Sequence, residues 1–144
     1  MALIMNKAVY AQIMKQAQQA HPVECCGMLV APAGRSHVAR CIPMRNVAAS
    51  EVYFSFDSTE QLRVLRDLDE RGEQCIGIYH SHTATHATPS REDIEFANDP
   101  DMHYLIVSTW HASTVPFRSF RIIAGSVFEE SIHLVAATQA QAVA

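Results

Sequence analysis

The spacing of hydrophobic side chains predicts helices in three segments of the chain. Helical spacing follows Asn6, which can cap the first helix, and Pro22 brings that helix to an end. Residues 57–72 indicate a second helix, with an acidic first turn and a glycine after the last turn. Residues 90–99 contain the start of a third. The apolar stripes of the first two helices are predicted to be Val9, Ile13, Met14 and Ala17, and then Leu62, Leu65 and Leu68.

Shorter apolar or alternating runs predict the strands. The run HYLIVSTW is unbroken, which is typical of a strand in the middle of a sheet. The last two runs can pair as a hairpin across Ala124 and Gly125. The predicted strands lie in segments 27–34, 36–47, 51–56, 74–82, 103–110, 117–123 and 125–134.

The order of these elements predicts the fold class, an α/β or α+β protein with a central mixed β-sheet flanked by helices. A length of 144 residues suits one compact domain, which we expect to cover residues 1–133. Residues 134–144 are rich in Ala and Gln and have little complexity, so they are predicted to form a flexible C-terminal tail.

Composition and charge narrow the possible partners. The formal net charge is −4 and the basic residues are dispersed, so a nucleic-acid partner is not expected. No apolar run approaches the roughly 20 residues that a membrane span requires, and the first residues lack the basic start of a secretory signal. The four cysteines form no C-x-x-C pair, which favours buried, reduced thiols and a cytoplasmic location.

Candidate chemistry is concentrated in HSHTATHATPSRED, residues 80–93. Residues two apart in a strand point to the same side, so His80 and His82 can direct both imidazoles at one point. Asp93 begins a helix after a loop that is long enough to fold back. Two neutral imidazoles and one carboxylate form a three-ligand set for a catalytic zinc ion, which keeps a fourth position open for water.

A purely structural interpretation exists for each part of this segment. A His-x-His pair can line a polar strand end without binding metal. The run TPSRED also has the composition of an ordinary helix start, with Thr88 or Ser90 as N-cap and acidic residues in the first turn. Nearby, we expect His86 to be solvated in the loop and Trp110 to lie in the core.

As a whole, the spacing His80-x-His82, seven residues, Ser90, two residues, Asp93 resembles the signature of the JAMM (MPN-plus) metalloprotease family. That family also carries an upstream glutamate, and Glu24 in HPVECCGML lies at the matching place. The resemblance extends from about residue 5 to residue 133. It implies the JAMM/MPN fold, which is similar to that of cytidine deaminases.

The resemblance also implies a role for each matching residue. His80, His82 and Asp93 would hold Zn²⁺, and Glu24 would act as the general base that passes a proton from water to the leaving amine. Ser90 would donate a hydrogen bond to the oxyanion of the tetrahedral intermediate. Helix capping by Ser90 is the rival role, and the two roles are compatible.

Within the family, the sequence more closely resembles the compact bacterial branch. Thr83 stands where eukaryotic-type deubiquitinases usually carry proline, and the chain leaves little room for insertions that grip ubiquitin. Members of the compact branch act on small ubiquitin-like sulfur carrier proteins ending in Gly-Gly. The resemblance therefore implies such a carrier as partner, with release of cysteine or a short C-terminal extension. Compact members often self-associate, so a homodimer is a further expectation.

Three alternatives stay open on the sequence. The chain could be a deubiquitinase-like isopeptidase, a DNA-repair-associated protein with a JAMM motif, or a metal-free MPN scaffold. Ser81 and Thr83 argue against the second, which usually has Asn and Pro there. The complete set of ligand residues argues against the third. A zinc deaminase would need H-x-E and P-C-x-x-C, and the sequence has neither.

Overall fold

The computed structural model describes residues 1–136, in which a mixed eight-stranded sheet is flanked by three helices. The sheet order is β3-β1-β8-β7-β6-β5-β2-β4. β1 runs parallel to β3 and β8, β5 runs parallel to β6, and the other neighbours are antiparallel. The predicted class is confirmed. The elements are β1 Ala2–Asn6, α1 Lys7–Ala20, β2 Cys26–Pro32, β3 His37–Val38, β4 Arg40–Met44, α2 Ser58–Glu70, β5 Glu73–His82, α3 Arg91–Phe96, β6 His103–Ser108, β7 Phe117–Ile123 and β8 Ser126–Val135.

Helices cover both faces of the sheet. The buried strand β2 shows this, because residues that alternate along it pack against different helices. Leu29 packs with Val9 and Ile13 of α1, whereas Met28 packs with Leu68 of α2. The side chain of Asn6 caps α1 by accepting a hydrogen bond from the backbone of Ala8, as predicted. Strands β5 and β6 lie inside this covered sheet, next to each other, and they carry the site described below.

All four cysteines are free thiols, and three of them are buried. Burial raises the pKa of Cys26 to about 12, so this thiol is unreactive at neutral pH. The prediction of buried, reduced cysteines is confirmed for Cys25, Cys26 and Cys41, while Cys75 is half-buried. No helix within residues 1–136 has the length and apolar character needed to cross a membrane.

Two local predictions are wrong. Residues 51–56 form no strand. The Asn46 side chain binds main-chain groups of Tyr53 and Ser55, and one backbone hydrogen bond, from Val47 to Ser55, accompanies it. In α2, Leu62 and Leu65 are 51% and 40% exposed, whereas Leu68 is buried. The helix packs through Val64 and Leu68 instead.

The two ends of the described chain pair with each other. β1 was not predicted, and it lies parallel to β8 with Ala2 opposite Ser131 and Asn6 opposite Val135. β8 includes Leu134, as the predicted strand 125–134 had it, and also Val135, so the strand extends into the segment that was predicted as a tail. Residues 137–144, the rest of the predicted tail, lie outside the described residues. The predicted β7–β8 hairpin is confirmed, and Ala124 and Gly125 both have positive φ at its turn.

A buried polar cluster joins β6, β7 and β8. Nδ1 of His103 lies 2.7 Å from Oε2 of Glu130, and the hydroxyl of Ser119 donates to the same oxygen at 2.7 Å. Burial acts to raise the pKa of Glu130, but these hydrogen bonds outweigh it and hold the pKa below its ordinary value. The buried Glu130 carboxylate thus joins three strands through its hydrogen bonds.

Candidate metal centre and active site

Strand β5 directs two histidines to one point beyond its carboxyl end. His80 and His82 are both buried, and their Nε2 atoms are 3.1 Å apart. β5 lies beside the parallel strand β6, with His82 opposite Ser108, so the site forms where two adjacent strands end together. The predicted orientation of the His-x-His pair is confirmed.

Asp93 comes to the same point from the first turn of α3. Its Oδ2 lies 3.2 Å from Nε2 of His80 and 3.1 Å from Nε2 of His82. A capping box fixes this geometry, because the Ser90 hydroxyl accepts from the Asp93 backbone N–H while Asp93 Oδ2 accepts from the Ser90 N–H. The helix start and the candidate ligand are therefore one structural unit, so the capping role of TPSRED does not exclude a ligand role for Asp93.

The spacing of the three donor atoms fits a metal ion. Ligands about 2.0–2.1 Å from a tetrahedral zinc ion lie roughly 3.3 Å from one another, close to the 3.1–3.2 Å seen here. Among the described residues, His80, His82 and Asp93 form a group whose ligand atoms lie within 4.8 Å of one another. The residues present therefore fit a metal site.

The protonation states favour a cation at the same place. Burial lowers the pKa of His80, so that its imidazole is neutral. Burial also acts to lower the pKa of His82, but hydrogen bonds to Asp93 and to the His86 carbonyl outweigh it and raise the pKa. Because His82 Nδ1 lies 2.9 Å from that carbonyl, Nδ1 keeps a proton and Nε2 is the atom available to a metal.

The predicted base, Glu24, lies beside this centre. Cys26 is opposite His80 in the β2–β5 pairing, which brings the residues just before β2 to the end of β5. Glu24 is 5% exposed. Burial raises its pKa to about 7, with the charge of His82 acting to lower it and that of Asp93 to raise it. A carboxyl group with a pKa near neutrality is suited to general acid–base work.

Two further contacts support the centre and were not predicted from the sequence. The ring of Phe54 stacks on His80 with centroids 4.5 Å apart at 22°. Thr83 donates from its hydroxyl to the Glu51 carbonyl at 3.2 Å. Both partners lie in the irregular segment that was predicted as a strand. The sequence around Phe54 does not reveal these contacts, because their partners lie about 30 residues away along the chain.

The loop over the site has a rim of aromatic rings. His86 is exposed, as predicted, and its ring meets Trp110 edge to face at 4.9 Å. Trp110 is half-buried and belongs to this rim, so its predicted place in the core is wrong. The hydroxyl of Ser108 ties the two segments together by donating to the Thr85 carbonyl at 2.7 Å.

Two histidines and an aspartate beside a buried glutamate, at the end of a central strand pair, are typical of metal-dependent hydrolases. Residues 6–123 match the family described as prokaryotic homologs of the JAB domain. The chain belongs to this family. The family named from the motif is thereby confirmed.

Individual relatives extend over most of the chain. A protein of Mycobacterium tuberculosis named CysO-cysteine peptidase is 41% identical over 133 residues, which is 92% of this chain and 91% of that protein. A desampylase of Haloferax volcanii is 35% identical over 88 residues, 60% of this chain and 63% of that protein. A solution structure of a Desulfitobacterium hafniense protein has a TM-score of 0.80 and 35% identity, and covers 94% of both chains.

Proposed function

We propose that this protein is a zinc-dependent peptidase that hydrolyses the bond after the C-terminal Gly-Gly of a small ubiquitin-like sulfur carrier protein. The observation that carries the proposal is the convergence of His80, His82 and Asp93 next to the buried Glu24. The similarity to the CysO-cysteine peptidase, over nearly all of both chains, supports the choice of substrate.

In this proposal each residue has one role. His80, His82 and Asp93 would hold zinc, which supplies Lewis acidity and acidifies water when bound. Glu24 accepts the proton of the attacking water and delivers it to the leaving nitrogen. The Ser90 hydroxyl is exposed; its oxygen accepts the capping bond, which leaves its proton free to be donated to the developing oxyanion.

The proposed product is a carrier that ends in Gly-Gly, with cysteine or a short extension released from it. Such a reaction belongs to cysteine biosynthesis or to the preparation of a carrier for sulfur transfer. We expect glycines to be required because larger residues would meet the rings of Phe54 and Trp110, which contact His80 and His86 next to the candidate ligands. The buried thiols agree with a cytoplasmic location for this chemistry.

A second candidate is isopeptidase activity that removes a ubiquitin-like modifier from proteins. The similarity to the desampylase of Haloferax volcanii favours it, over a smaller part of the chain. The two activities share the Gly-Gly side of the bond and differ in the leaving amine. A homodimer is also part of the proposal, and sedimentation velocity tests it.

The test compares two substrates with zinc-loaded and chelator-treated protein. One substrate is a carrier extended by cysteine after Gly-Gly, and the other is the same carrier joined to a lysine side chain. We expect faster release of cysteine, and no release after zinc removal. Faster cleavage of the lysine conjugate would support the second candidate. Equal cleavage with and without metal would contradict both.

A further inference from the structure

The peptide unit that follows Glu24 is held by side chains instead of the sheet. β2 begins at Cys26, so the Glu24 carbonyl and the Cys25 N–H lie just outside its regular pairing. Nδ2 of Asn46 donates to the Glu24 carbonyl at 3.0 Å. The Cys25 N–H donates to the Ser81 hydroxyl oxygen at 2.8 Å. Both polar groups of one peptide plane are thus bound by two side chains from different segments.

Backbone hydrogen bonds complete this arrangement. The Glu24 N–H donates to the Ser50 carbonyl at 2.9 Å, and the Ser81 N–H donates to the Cys25 carbonyl at 3.0 Å. Glu24 is therefore tied on one side to the loop that contains Asn46 and on the other side to the metal-binding strand. With these bonds in place, the backbone of Glu24 cannot rotate independently of β5.

Asn46 uses its whole side chain for this purpose. Nδ2 also donates to the Tyr53 carbonyl at 2.9 Å, and Oδ1 accepts from the backbone N–H groups of Ala48 and Ser55 at 3.0 and 3.2 Å. The Asn46 amide thus fixes the loop whose Phe54 ring stacks on His80. The same amide joins that loop to Glu24. An aspartate of the same size would keep both accepting bonds and lose both donating bonds.

Ser81 reaches Cys25 without touching the candidate ligands. It lies between His80 and His82 in a strand, so its side chain points to the opposite face of the sheet. It is completely buried. Replacing it with alanine would leave the buried Cys25 N–H without its partner while the histidines stay in place.

We infer that Asn46 and Ser81 are positioning residues, which clamp the Glu24–Cys25 peptide and thereby aim the Glu24 carboxylate at the metal centre. The inference rests on the proposed function for its catalytic consequence. Misplacement of a reacting group by about 1 Å can cost about 10²-fold in rate. We therefore expect either clamp variant to lower kcat by about tenfold or more with little effect on metal affinity.

The test is a double-mutant cycle with the base. Ser81→Ala is made in the parent protein and in the Glu24→Gln variant, and kcat is measured with the cysteine-extended carrier. If Ser81 acts through Glu24, its tenfold effect in the parent shrinks to less than about twofold when the base is already absent. Ser119→Ala is the matched control, because Ser119 is also completely buried and its hydroxyl bonds Glu130, in the cluster that joins β6, β7 and β8. It should lower stability and leave kcat unchanged.

Two measurements need no substrate. Competition with a chelator should give similar zinc affinities for the parent and Ser81→Ala. Amide hydrogen exchange at Cys25 should be at least about tenfold faster in Ser81→Ala, with exchange at Leu29 unchanged. Asn46→Asp provides a second variant that keeps the side-chain size, and it should lower kcat in the same way.

The outcomes separate the clamp from the proposed function. If the parent cleaves no carrier, the proposed function fails, while unaltered exchange at Cys25 in Ser81→Ala would overturn the clamp. Equal losses of kcat from Ser81→Ala in both backgrounds would also overturn it, because the serine would then act on stability and not on Glu24. Loss of zinc in Ser81→Ala would overturn the clamp as well, because the serine would then act on the metal site and not on Glu24.

Discussion

Ser90 combines two roles that one substitution pair can separate. Its hydroxyl caps α3 by accepting from the Asp93 N–H at 3.1 Å, and we propose that it also donates to the oxyanion during catalysis. Ser90→Ala removes both interactions. Ser90→Thr keeps a hydroxyl and remains an acceptable N-cap.

The expected sizes of the two effects differ enough to distinguish them. Loss of the cap costs roughly 1 kcal/mol, or a fall of about 3 to 4 °C in Tm for a chain of this length. A protein with about 5 kcal/mol of stability would still be more than about 99% folded. Loss of an oxyanion donor lowers kcat by about 10²–10³-fold. A fall of that size cannot come from partial unfolding, and the zinc content shows whether Asp93 has kept its place.

The assay measures Tm, zinc content and kcat for both variants and for a control. Asp57→Ala is the matched control, because the Asp57 side chain caps α2 by accepting from the Glu60 N–H. We expect a similar fall in Tm for Asp57→Ala and Ser90→Ala, and a large fall in kcat for Ser90→Ala alone. If Ser90→Ala matches Asp57→Ala in Tm and keeps kcat within about twofold of the parent, Ser90 is only a cap.

Three further predictions concern the metal site, the substrate and the buried cluster around Glu130. Asp93→Ala should lose zinc, because two protein ligands rarely hold it tightly; stoichiometric zinc by elemental analysis would remove Asp93 from the ligand set. A carrier whose final Gly is replaced by Val should not be cleaved, and equal rates on both carriers would exclude a narrow cleft. Glu130→Gln should lower the free energy of unfolding at pH 7 by about 1.5–3 kcal/mol, because it removes the charged acceptor of the buried hydrogen bonds from His103 and Ser119. The pKa of Glu130 is lowered from 4.5 in the folded state, so its contribution is present above that pH and is lost as the pH falls below it; denaturant unfolding that shows the same deficit at pH 7 and pH 3 would contradict the assignment.

Local features of the sequence predicted much of the fold. Asn6 and Ser90 each cap a helix, as their positions in the sequence allowed, and their side chains act within a few residues along the chain. The two-residue spacing of His80 and His82 predicted their common direction, because strand geometry alone determines it. The placement of Glu24 came from a family resemblance, since it depends on the register between β2 and β5.

Features that depend on tertiary packing were missed or mistaken. α2 has two adjacent apolar rows, and only the sheet decides that Val64 and Leu68 face inward while Leu62 stays exposed. The segment around Phe54 has the composition of a strand, yet hydrogen bonds from Asn46 give its backbone another course. No local pattern predicts this course, because the side chain of Asn46 could form its hydrogen bonds with many different partners.

The mass of the carrier after incubation tests the central claim most directly. A carrier with cysteine after Gly-Gly is incubated with the zinc-loaded parent, with chelator-treated parent and with Glu24→Gln, and its intact mass is followed over time. The proposed mechanism predicts a single product that ends at the second glycine, formed by the zinc-loaded parent alone. Glu24→Gln should retain its zinc and form that product at least about two orders of magnitude more slowly. An unchanged carrier mass with the zinc-loaded parent, cleavage at another bond, or equal rates for Glu24→Gln and the parent would contradict it.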